Sequence, residues 1–168
     1  AVWQSWDGSD REIFFWDGTL PSNPLQLTNN GFIDENPNIH NGQVVWSRWL
    51  SNNEIFFWDG VSTTQLTNNS AHDFEPQIHN GQVAWSGFDG SDTDIFFWDG
   101  VTTTQITNNS YTDAYVQTHN GQVVWQGKNG IDYEIFLWDY VPYEVRNLRL
   151  PTTTDLTWNP NISCSSPS

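Results

Sequence analysis

The sequence predicts an all-β fold made of four repeats of about 40 residues, and three observations lead to it. The string Asn-Gly-Gln-Val-(Val/Ala)-Trp occurs at 41–46, 80–85 and 120–125, spaced by 39 and then 40 residues, with Val2-Trp3 as the stub of an earlier copy. A second marker follows each copy. Ile13-Phe14-Phe15-Trp16-Asp17-Gly18 returns at 55–60 and 95–100 and, altered at its end, as Ile135-Phe136-Leu137-Trp138-Asp139-Tyr140. Between the markers, apolar runs of 4 to 6 residues alternate with Asn, Asp, Gly and Ser, without the periodicity of an amphipathic helix.

The third repeat shows the elements in order. Its strands are expected at Phe74–His79, Gln82–Ser86, Asp94–Trp98 and Thr103–Thr107. Asn80-Gly81 and Asp99-Gly100 are dipeptides that accept positive φ at both central positions of a type I′ turn, so both predict tight hairpins. The second and third strands are joined by a longer loop, Gly87 to Thr93, and the fourth strand reaches the next repeat through Asn108 to Asp113. A third marker, Gln-(Leu/Ile)-Thr-Asn-Asn, stands at 26–30, 65–69 and 105–109, and Leu20-Pro21-Ser22-Asn23-Pro24 enlarges a turn of the first copy. Phe96-Phe97-Trp98 is apolar on both faces of its strand, as in a sheet packed between two others. Eight of the eleven tryptophans fall on equivalent second-strand positions (Trp3, Trp46, Trp85, Trp125) and third-strand positions (Trp16, Trp58, Trp98, Trp138).

Four antiparallel strands per unit, packed on both faces with a periodic aromatic, describe the blade of a β-propeller. The chain begins at a second strand and closes its last repeat after a third, so residues 1–140 supply three, four, four and three strands. This predicts a four-blade propeller or arc, incomplete or completed by the tail or a second chain. The absence of Met and the start in mid-repeat suggest a processed or excised piece.

Gln65-Leu66-Thr67, Asp73, Pro76, Asn80-Gly81, Val83-Ala84-Trp85-Ser86 and Asp94-Ile95-Phe96 together resemble the TolB-like propeller repeat. In that repeat a leucine-threonine ending, an aspartate, a proline, a glycine turn and an Asp/Glu-Ile-aromatic strand follow in this order. The resemblance spans residues 1 to about 139. It departs from the family at His79-Asn80-Gly81, where Ser-Pro-Asp-Gly is usual, and at Val116, where Pro37 and Pro76 stand in the other copies. The resemblance implies a scaffold or binding role, in periplasmic or secreted proteins, rather than chemistry. In the tail, Val141 to Leu150 and then Thr152 to Pro160, a proline-led first strand and a second ending in Trp158, resemble the opening two strands of a fibronectin type III module, truncated within residues 141–168. On the other reading Glu144 to Leu148 supplies the fourth strand of the last blade and the rest is linker.

Charge narrows the partners. Five Lys and Arg against 20 Asp and Glu give a formal charge of −15, which repels a phosphate backbone and excludes nucleic acid. No apolar run is long enough for membrane insertion as a helix. The single cysteine, Cys164, leaves no internal disulfide and no thiolate zinc cluster. There is no Gly-x-Ser-x-Gly elbow and no Gly-rich phosphate loop, and the carboxylates recur by repeat instead of being singled out, so no enzyme is expected.

Three constellations are candidates for function. The loops between second and third strands carry Asp7, Asp10 and Glu12, then Asp89, Asp92 and Asp94, then Asp132 and Glu134, an oxygen-rich set suited to calcium. The second copy, Leu50-Ser51-Asn52-Asn53-Glu54, is poor in charge, and turn building with solubility is the competing reading. Asp34, Asp73 and Asp113 are expected to share this loop face and to join a ligand site. His40, His79 and His119 each close a first strand and would gather round the axis, either as imidazole metal ligands or as plain strand endings. Trp6, Trp49 and Phe88 each stand three residues after a second-strand tryptophan, placed to stack on a sugar or to pack on the blade edge. The expected role is a non-enzymatic extracellular or periplasmic module that presents an acidic loop face to a protein or glycan, assisted by calcium. The alternatives are a repeat unit of a filament or surface layer, joined as a homo-oligomer through open strand edges, and an accessory domain beside a catalytic one.

Overall fold

A computed structural model describes residues 1–19 and 23–141. Most of the enlarged first turn and the fibronectin-like stretch lie outside the described residues. The described chain runs as four antiparallel meanders. The first contains β1 (Val2–Trp6), β2 (Arg11–Phe15) and β3 (Leu25–Gln26). The second contains β4 (Ile33–His40), β5 (Gln43–Trp49), β6 (Asn53–Trp58) and β7 (Thr63–Gln65). The third contains β8 (Asp73–His79), β9 (Gln82–Phe88), β10 (Thr93–Trp98) and β11 (Thr103–Gln105). The last contains β12 (Ala114–His119), β13 (Gln122–Asn129) and β14 (Asp132–Asp139). The expected count of three, four, four and three strands is met, with no helix among the described residues.

Three apolar layers hold the blades face to face. Ile13, Val44, Trp46 and Phe56 fill the first, Val45, Ile55, Phe57, Ile78, Val83 and Trp85 the second, and Ala84, Ile95, Phe97, Val116, Val123 and Trp125 the third. Each second-strand tryptophan stacks on a third-strand phenylalanine of its own blade, as Trp46 does on Phe56 at 5.9 Å and Trp85 on Phe96 at 5.8 Å. The third strands of the first three blades then turn a phenylalanine towards the tryptophan of the next blade: Phe15 meets Trp58 at 5.3 Å, Phe57 meets Trp98 at 5.3 Å and Phe97 meets Trp138 at 5.2 Å. Such pairs contribute about 0.5–1.5 kcal/mol beyond area burial. This is why both faces of the third strand read as apolar.

The turns divide. Asn80 and Gly81 adopt φ of 50° and 74° between His79 and Gln82, the expected two-residue hairpin. Asp99-Gly100 does not form one. Only Gly100 has positive φ, and Asp99 Oδ1 instead accepts the N–H groups of Val101 and Thr102, closing a four-residue loop. The fourth strands stop at the glutamine of the third marker, because Thr28, Thr67 and Thr107 turn inward and their Oγ1 atoms accept the N–H groups of Ile13, Ile55 and Ile95. The loop between β9 and β10 is shorter than expected, since pairing continues to Phe88 and Thr93.

Among the described residues the succession of blades is open at both ends. Ile13, Ile55 and Ile95 are fully buried, whereas the equivalent Ile135 on β14 is 76% exposed and Leu137 is 58% exposed. At the other end Trp3, counterpart of the buried Trp46 and Trp85, is 37% exposed.

Candidate functional site

The hairpins joining second to third strands form one end of the blades. In the first, Asp7 Oδ1 accepts the Ser9 N–H and Oγ–H at 2.9 Å and the Asp10 N–H at 3.3 Å, and the Asp7 N–H donates to the Asp10 carbonyl. Asp89, Ser91 and Asp92 repeat this arrangement with the same distances. The Asp-Gly-Ser-Asp sequence thus folds on itself, and backbone N–H donation holds the Asp7 and Asp89 carboxyls below their usual value. In each loop the third acid, Glu12 or Asp94, sits fully buried under the next segment of chain. One carboxylate oxygen from each of Asp7, Asp10 and Glu12 lies within 4.8 Å of the others, and the same holds for Asp89, Asp92 and Asp94. Burial first, and like charge second, raises the carboxyls of Asp92 and Asp94, and burial raises that of Glu12.

Asp132 and Glu134 do not join a third acid in this way. Their hairpin is a two-residue turn at Gly130-Ile131, β13 and β14 pair as far as Asn129 and Asp132, and both acids are exposed because no blade among the described residues covers β14.

Asp34, Asp73 and Asp113 lie at this end of the blades but not on its surface, against the expectation of a shared loop face. They are 0, 3 and 2% exposed. Each Oδ1 accepts an indole N–H, from Trp46 at 2.8 Å, Trp85 at 2.9 Å and Trp125 at 3.0 Å, and each Oδ2 accepts the amide of Asn30, Asn69 or Asn109. They are clamps within the blade. Asp34 also pairs with Arg48 at 2.7 Å, and burial raises the Asp73 carboxyl.

Trp6, Trp49 and Phe88 end their second strands at the loop end, 65, 45 and 40% exposed. Trp6 and Phe88 directly precede the acidic loops, and Trp49 leans on His72 with ring centres 5.4 Å apart. Lys128 holds this place in the last blade, its Nζ 5.0 Å from the Tyr133 ring centre.

The histidines gather at the opposite end. His40, His79 and His119 form a column with successive ring centres 4.0 Å apart. Nδ1 of His40 accepts the Asn80 N–H and Nδ1 of His79 accepts the Asn120 N–H, so in these two rings that nitrogen already serves blade packing. Burial, then repulsion from His40 and His119, holds His79 below the usual histidine value.

One recess escaped the sequence reading. Register shifts in β4, β8 and β12 place Asn36, Glu75 and Tyr115 at φ of 54°, 54° and 58°. With Asn38, Gln77 and Gln117 they line a cavity of about 330 Å³ between the first strands. The available signal was proline inside a strand, at Pro37 and Pro76, since strand prolines are confined to edges and bulges.

No protein-family model and no curated protein sequence matches the chain. Solved structures do match. The β-propeller domain of the Trilobed protease from Pyrococcus furiosus, described as having an open velcro topology, gives a TM-score of 0.62 at 14% identity over 77% of this chain and 43% of that one. The fold is a β-propeller. An acylaminoacyl peptidase from Pyrococcus horikoshii gives 0.64 at 14% identity over 82% of this chain and 24% of its own. A protein assigned as TolB from Agrobacterium tumefaciens gives 0.58 at 16% identity over 79% of this chain and 54% of its own. The chain therefore spans about half, or less, of each neighbour's length.

Proposed function

We infer that this propeller segment is a non-enzymatic binding module, extracellular or periplasmic, whose loop end engages a glycan or a protein surface. One observation carries the reading: Trp6, Trp49 and Phe88 recur at the same place in three successive blades and are exposed in all three. A single exposed aromatic is ordinary, but a series in register beside carboxylates offers flat apolar faces for sugar C–H groups and acceptors for hydroxyls. The test is a glycan array followed by tryptophan-fluorescence titration with the oligosaccharides that bind. Trp6→Ala with Trp49→Ala should weaken binding at least about tenfold, roughly 1.4 kcal/mol, with the melting temperature unchanged. Undiminished binding in that variant would refute this placement of the site.

A second reading rests on the open face of β14, where Ile135 and Leu137 are exposed. Another blade, from the same polypeptide or from a second copy, fits that face and would build a homo-oligomer or filament. Sedimentation velocity at rising concentration separates the two, because a binding module stays at one size and an assembly unit grows.

A further inference from the structure

The residue two places before each third-strand acid is Asp10, Asn52, Asp92 or Asp132 in successive repeats. In the second repeat Asn52 is 7% exposed, and its Nδ2 lies among three oxygens: Glu54 Oε1 at 2.8 Å, the Asn69 carbonyl at 3.2 Å and the Ala71 carbonyl. A primary amide has two N–H groups to offer. Three acceptors converging on it, one of them charged, make a place that calls for a positive partner.

In the first and third repeats a carboxylate stands there instead. Asp10 is 9% exposed, and its Oδ1 is buried with no hydrogen-bond partner; Asp92 as a residue is half-buried, and its Oδ1 likewise has no partner. Both belong to the triplets whose oxygens lie within 4.8 Å of one another. The two arginine salt bridges among the described residues go elsewhere, Arg11 to Glu35 and Arg48 to Asp34. The other members of each triplet have donors, Glu12 from Asn30, Asp94 from Gln105 and Thr107, and Asp7 and Asp89 from their own turns. The unpartnered oxygens of Asp10 and Asp92 are thus the ones left without a donor or countercharge, which is unfavourable for a carboxylate oxygen out of water. At this position the repeat thus places an amide donor in blade two and an unpartnered carboxylate oxygen in blades one and three.

We propose that the triplets Asp7, Asp10, Glu12 and Asp89, Asp92, Asp94 each bind one hard divalent cation of the calcium type, and that Asn52 supplies in the second repeat the positive partner the ion supplies in the other two. The donors are carboxylates with no imidazole or thiolate among them, which selects calcium over zinc or copper. They sit on a turn that can adjust its oxygens, as calcium's flexible coordination allows. The last blade has no such site, since its two acids are exposed and lack a third. The proposal concerns the same end of the blades as the binding reading but does not rest on it. Failure to bind calcium would leave the glycan test untouched, and the reverse also holds.

Calorimetric titration of calcium chloride into the EDTA-treated and dialysed chain, with thermal melts alongside, tests it. Two equivalents per chain and a calcium-dependent rise in melting temperature are expected. Asp10→Asn and Asp92→Asn should each remove one equivalent while leaving the calcium-free melting temperature equal to that of the wild type or higher, because the amide reproduces the second repeat. Asp132→Asn should leave the stoichiometry at two. A flat titration with no calcium-dependent melting shift overturns the proposal, as do two equivalents persisting in both the Asp10 and the Asp92 variants.

Discussion

Gly87 shows how one missing Cβ decides what a blade can bury. A Cβ there would lie 2.4 Å from Asp73 Oδ1 and 2.9 Å from the Phe96 ring, and at Gly127 it would lie 2.0 Å from Asp113 Oδ1. The glycine lets the carboxylate press against the backbone and accept the indole N–H. The second blade solves the same problem with Arg48, whose guanidinium reaches back to Asp34 and covers the Phe56 ring at 4.3 Å. Gly87→Ala should therefore overpack the clamp, at about 1–3 kcal/mol, and lower the melting temperature by about 2–4 °C per kcal/mol. A melt unchanged from the wild type would show that the clamp is not tight. The aspartates were legible in the sequence as a recurring residue, but not as clamps. An Asp before a strand reads equally as loop ligand or as buried acceptor; the distinguishing signal is its fixed distance of 12 residues from the tryptophan it serves.

At the scale of elements, hairpins followed their local chemistry wherever that chemistry was self-sufficient. Asn-Gly closes its turn by backbone preference alone, so it could be read directly. Asp-Gly has a second option, because its carboxylate can gather two N–H groups, and Asp59 and Asp99 both take it. The bulges of β4 and β8 were visible only as misplaced prolines, and that of β12, where Val116 stands instead, gave no such signal. The Asn-Gly hairpins also build the histidine column, which links the blades by hydrogen bonds that neutral rings accept. Since His79 has its native value below 6.5, its stabilising effect is complete above that pH and is lost as the pH falls below it. Melting temperature should fall between about pH 7.5 and 5.5 and fall less steeply in His79→Gln. The raised carboxyls of Glu12, Asp73, Asp92 and Asp94 act in the opposite sense, gaining protons in the native state on acidification. The difference between the two proteins is therefore the readout, and equal slopes would remove the column from the account.

For the whole molecule, the repeat spacing and the two-faced third strands made the stacked sheets readable, because a blade that buries both faces must carry apolar residues on both. The acidic loops were readable as a class, but the difference between them was not. Whether an acid is buried depends on the blade that follows, which covers Glu12 and Asp94 and leaves Glu134 in the open. The same logic explains the ends, where Trp3 and Ile135 show the surfaces that inner blades hide. The central claim is that the blades stack face to face with aspartate-held indoles between them. Hydrogen exchange of indole N–H protons followed by NMR addresses it directly. The account predicts slow exchange at Trp46, Trp85 and Trp125 and free exchange at Trp6; exchange of all four at a common fast rate would contradict it.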